Sequence, residues 1–138
     1  MNNYRVKRPE IYDGLLNELK DPELGVFKTL ATALLFAAAY GFKNKTRDVI
    51  TKAGEPINFS IFDEQQHAVP FIYSLALTEY TDVSYLQEEK FEEMITVFEE
   101  YAAGGLRLLD GRLQRANLKV EIEQIMNDED IFVPDNYL

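Results

Sequence analysis

The chain has 138 residues, 46% of them hydrophobic and 28% charged, with a net charge of −10 and no cysteine. That length predicts one helical domain over 1–138, its tail 127–138 extended, and apolar content this high excludes a disordered polyelectrolyte. The missing cysteine excludes disulfide frameworks, thiolate nucleophiles and Cys-type zinc sites, and MNNYRVKRPEIYDGLL lacks the apolar core of a signal peptide, so a cytoplasmic location is expected.

In chain order, RPEIYDGLLNELKD predicts a first helix. Pro9 suits its first position, and Ile11, Leu15, Leu16 and Leu19 share one face. Pro22 and Gly25 end it. From Phe27 to Tyr40 the chain is apolar on every side, which marks a buried helix. About 20 apolar residues are needed to cross a membrane and this run is shorter, so it is the centre of a bundle, with Gly41 as the expected C-cap.

Val49 and Ile50, then Ile57, Phe59 and Ile61 in alternation, flank the turn signal KAGEP and predict a short β-hairpin. Asp63 with Gln66 reads as a helix start, and Pro70 marks either a kink or a second start. Asp82 or Ser84 is expected to cap a long helix. Phe91, Ile95, Phe98, Ala102, Leu106, Leu109 and Leu113 form its stripe, which keeps phase across Gly104-Gly105. These glycines therefore predict close helix contact within one continuous helix. A last helix, NLKVEIEQIM, precedes the acidic and apolar tail NDEDIFVPDNYL, expected to dock on this or another chain. The predicted fold is mainly α: a compact helical bundle around a buried central helix, with a short β-hairpin.

Catalytic signatures are absent from this pattern. His67 is the one histidine and reads as a surface or capping residue, with no base–nucleophile pairing implied. The acidic pairs Glu88-Glu89, Glu92-Glu93 and Glu99-Glu100 lack the Glu-x-x-His spacing of a di-iron bundle. They read as a solvated face, or as an acidic docking face for a basic partner. No cofactor or metal is expected.

Positive charge is concentrated N-terminally. Residues 1–57 hold nine Lys/Arg against seven Asp/Glu, a local +2, whereas 58–138 hold five against seventeen, a local −12. Lys43, Lys45, Arg47 and Lys52 fall within ten residues, and Arg5, Lys7 and Arg8 form a second cluster. These seven are the candidate DNA-phosphate contacts, since phosphate contact is electrostatic and needs no fixed spacing.

Taken in order, RVKRPEIYDGLLNEL, FKTLATALLFAAAYGFKN, GEPINFSIFD and FEEYAAGGLRLLDGRL resemble the dnd system-associated protein 4 family, over roughly Arg5 to Leu113. The resemblance implies a non-enzymatic accessory component beside bacterial DNA phosphorothioation genes, in modification, restriction and defence. Its partners would be other phosphorothioation-system proteins, without membrane. The acidic face at Glu88–Glu100 is the expected docking surface. A fainter similarity to DndE implies self-association as a homo-oligomer and DNA binding through surface lysines. By location these match Lys43, Lys45, Arg47 and Lys52. A DNA-binding module using the 43–52 segment is the alternative.

Overall fold

A computed structural model describes residues 4–80, 90–128 and 131–134. Thr29 starts the central helix by accepting a hydrogen bond at its side-chain oxygen from the Thr32 amide, 3.1 Å away. Capped there, α2 (Leu30–Lys43) runs 14 residues, and every residue from Ala31 to Gly41 is buried. The all-round apolar run is thus the core helix that its pattern predicts.

Gly41 does not end this helix. A Cβ at Gly41 would lie 2.1 Å from the Tyr101 carbonyl oxygen, so the missing side chain serves a crossing inside the helix. The crossing partner is α5 (Phe91–Arg112), continuous through Gly104 and Gly105 as its stripe predicts. A Cβ on Gly105 would come within 1.7 Å of the Ala37 carbonyl, and one on Gly104 within 2.2 Å of the Thr46 carbonyl. Three glycines therefore let two backbones touch.

The other elements wrap this pair. Leu15, Leu16 and Leu19 of α1 (Asp13–Leu19) are buried. Ile11 sits in a preceding 3₁₀ turn, Glu10–Tyr12, and is 81% exposed rather than on the core face. Three residues per turn instead of 3.6 rotate it outward.

The antiparallel two-stranded sheet pairs β1 (Arg5–Val6) with β2 (Ile57–Asn58), Val6 opposite Ile57. β2 lies within the expected span, but its partner is the N-terminal segment and not Val49–Ile50. Val6 and Ile57 are both buried by this pairing, while Val49 stays 75% exposed. After Asn58 the chain leaves the strand and forms α3 (Phe59–Asp63). Phe59 and Phe62, three apart, both reach the core on a helical turn, whereas strand alternation would have buried Ile61, which is instead exposed. Asp63 accordingly closes a helix and starts none.

In α4 (Ala68–Tyr80), Pro70 lies in the first turn, where its missing N–H removes no helical bond. His67 stands just outside at φ 68, exposed, its carbonyl accepting from the Phe71 amide at 3.1 Å. α6 (Leu118–Asp128) packs Leu118, Ile122 and Ile125 into the core. The tail then docks on this same chain, Phe132 stacking on Phe71 with centroids 4.2 Å apart and planes 7° apart. The expected caps Asp82 and Ser84, and also Glu88, Glu89 and Tyr137, lie outside the described residues.

Candidate binding groove

The C-terminus of α2 builds the site. Thr46 donates its amide to Gly41 O at 2.8 Å and Lys45 to Phe42 O at 3.1 Å, the paired bonds of a Schellman closure. Lys45 occupies the left-handed position, φ 53, where glycine is usual. The turn places Lys43 and Lys45 outward, both exposed. It then lays residues 46–48 along α5, where the Asp48 amide donates to Glu100 O at 3.0 Å and Arg107 Nε to Asp48 Oδ2 at 2.6 Å.

Between this turn, α4 and α5 lies a groove of about 920 Å³. Phe42 and Phe71, with Ile131 and Phe132 from the tail, supply its apolar wall, and Lys43 and Lys45 stand on its rim. On its floor Arg47 donates to Glu100 at 2.8 Å, pairs with Glu79 at 3.1 Å and lies 5.4 Å from the centroid of the Tyr101 ring. The Tyr101 hydroxyl donates to Glu79. Burial works against the Arg47 charge, but its bonds to Glu100 and Glu79 outweigh that and hold its pKa above the ordinary arginine value. Glu79 is held below the usual carboxylate range, first by the Tyr101 hydroxyl and then by Arg47.

The seven basic candidates therefore divide. Lys43 and Lys45 meet on the groove rim, and Arg47 lies beneath them as part of the ion-pair floor. Lys52 pairs with Glu10 at 3.2 Å. Arg8, 9% exposed, is an internal tie, donating to Asp13 Oδ1 and Glu55 O, each at 2.7 Å. Arg5 faces a separate concavity of about 580 Å³ beside Lys20 and Lys28. Lys7 is exposed, and its amide donates to Glu99 at 2.5 Å.

The acidic candidates do not form one surface among the described residues. Glu92 and Glu93 are exposed, Glu99 is 7% exposed beneath β1, and Glu100 is engaged by Arg47. Helical spacing alone puts Glu92 with Glu99 and Glu93 with Glu100 on shared faces. Segments distant in sequence then cover the second member of each pair. Burial pushes the Glu99 carboxyl up to about 7, against the pull of the Lys7 amide.

The contributions of Phe42, Phe71, Ser74, Thr78, Glu79 and Tyr101 went unread in the sequence. One signal was present: Phe71, Ser74 and Thr78 follow helical spacing and put two hydroxyls on a face of an otherwise apolar helix. Among the described residues no group of three or more His, Asp or Glu is placed to hold a metal, and no helix is long and apolar enough to cross a membrane.

Residues 5–131 match the family model of DNA sulphur modification system-associated protein 4, and the chain belongs to that family. No curated protein and no solved structure matches it significantly, so the DndE likeness gains no support.

Proposed function

We propose that the chain is a non-enzymatic accessory component of a DNA sulphur modification system that binds a partner protein in the α2–α4–α5 groove. An open, aromatic-walled and basic-rimmed groove of about 920 Å³ carries this reading. Its polar floor is already occupied by internal bonds. Arg47 and Tyr101 are held by acidic side chains, Ser74 Oγ donates to Phe71 O at 2.6 Å, and Thr78 Oγ1 donates to Ser74 O at 2.9 Å. Groups so engaged position a bound surface better than they move protons. The groove replaces the acidic Glu88–Glu100 stripe as the preferred docking surface.

The test is co-purification of the tagged full chain with the proteins of its modification system. Phe71→Ala removes the central aromatic wall, and loss of a hot-spot aromatic weakens binding by about 2 kcal/mol, roughly thirtyfold. A partner retained at unchanged affinity by a folded Phe71→Ala chain rules the groove out.

A second reading, phosphate contact with DNA, is favoured by one observation. Lys43 and Lys45 are both exposed at the groove and bear no ion pair among the described residues.

A further inference from the structure

The chain's own tail lines part of the groove. Ile131 and Phe132 form part of its wall, and Phe132 lies flat on Phe71. The sequence leading into that pair is Asp128-Glu129-Asp130, so the whole segment reads as three carboxylates followed by an aliphatic and an aromatic residue. The exposed Lys43 and Lys45 line the same groove as Ile131 and Phe132. With the tail in place the groove still holds about 920 Å³ and opens to solvent.

Resting on the protein-binding reading above, we infer that the groove receives a partner-protein segment with this same chemistry: acidic residues followed by an aliphatic–aromatic pair. Ile131–Phe132 fills the aromatic end in cis, and the partner segment displaces it. Complementary charge brings the acidic part to Lys43 and Lys45, while the aromatic contributes apolar area against Phe71 and Phe42.

Single-stranded nucleic acid fits this groove less well. Glu79 lies on the groove floor, and the local −12 of residues 58–138 repels an extended polyanion. A short acidic segment needs only the two rim lysines.

Cis occupancy has a measurable effect, because a partly occupied site binds with an apparent Kd raised in inverse proportion to the fraction left free. The probe is a fluorescein-labelled peptide NDEDIFVP, residues 127–134, titrated by anisotropy against the full chain. Expected is binding about tenfold tighter to Phe132→Ala than to the unaltered chain, as for a site nine-tenths occupied. Ile131→Asn vacates the same end should Phe132→Ala not fold. Lys43→Glu with Lys45→Glu, both exposed, is expected to weaken binding by at least about tenfold. A peptide with serine for its phenylalanine is expected not to bind.

Equal affinity for the unaltered and tail variants overturns the proposal, as does absence of binding to all of them. Binding of a labelled oligodeoxythymidine in place of the peptide, lost in the double lysine variant, overturns it in favour of nucleic acid. If the peptide fails while a partner still co-purifies and is lost in Phe71→Ala, only the segment chemistry is wrong and the protein-binding reading stands.

Discussion

Lys45 and Glu99 each occupy an environment that a different residue would tolerate better. At φ 53 a side chain costs about 1–2 kcal/mol, partly offset because glycine loses more entropy on folding. Lys45→Gly is therefore expected to raise stability by up to about 1 kcal/mol, seen as a melting temperature a few degrees higher, while weakening partner binding. A lysine kept where glycine fits better is consistent with strain retained for function. If melting temperature falls instead, the left-handed turn is not strained. Glu99 titrates near 7 when folded, against an ordinary 4.5. Its stabilising contribution is complete below pH 4.5 and is lost as pH rises through 7, on the order of 3 kcal/mol. Glutamine still accepts from the Lys7 amide, so Glu99→Gln should stay flat in urea melts across that window. A variant as pH-sensitive as the unaltered chain would remove Glu99 as the cause. Glu79 acts with the opposite sign, its contribution present above the ordinary carboxylate pKa and lost as pH falls.

Among the elements, the α2–α5 crossing governs stability. The Cβ of Gly105→Ala meets the Ala37 carbonyl, which is backbone and cannot swing away. A loss of about 3 kcal/mol or more is expected in denaturant unfolding. Gly111→Ala, in the same helix with nothing within 4 Å, should gain up to about 1 kcal/mol. Equal effects of the two would show that the crossing is looser than its geometry. The unbroken α5 was legible because Phe98, Ala102, Leu106 and Leu109 keep helical phase through the glycines. Gly41 was misread because a glycine that ends a helix and one that admits a neighbour look alike locally. The partner of Ile57 was likewise hidden. Strand pairing is decided by which apolar residue finds cover, and Val6 finds it where Val49 does not.

For the whole molecule, the N-terminal basic clusters looked larger in sequence than the free charge they leave. Of Lys43, Lys45, Arg47 and Lys52, the last two spend their charge on Glu79, Glu100 and Glu10. Should DNA bind through this segment, log affinity would fall with log salt at a slope of about −1.8 for two phosphate contacts, rather than −3.6 for four. A slope near −3.6 in a filter-binding titration would mean that Arg47 and Lys52 exchange partners on binding. The rim lysines of the groove were thus legible from charge clustering. Its walls were not, because Phe71, Tyr101 and Phe132 come together only through the packing of α4, α5 and the tail.

Segment 46–48 is tied to α5 by Arg47–Glu100, by Arg107–Asp48 and by the Asp48 amide, with Gly104 leaving room for its backbone. Lys43 and Lys45 lie outside those ties. Shape and charge are consequently inherited separately: a lineage can reverse the sign of the rim with two surface substitutions while its curvature is preserved. Related chains that serve different partners should then diverge first at these two positions and last at the glycines beneath them.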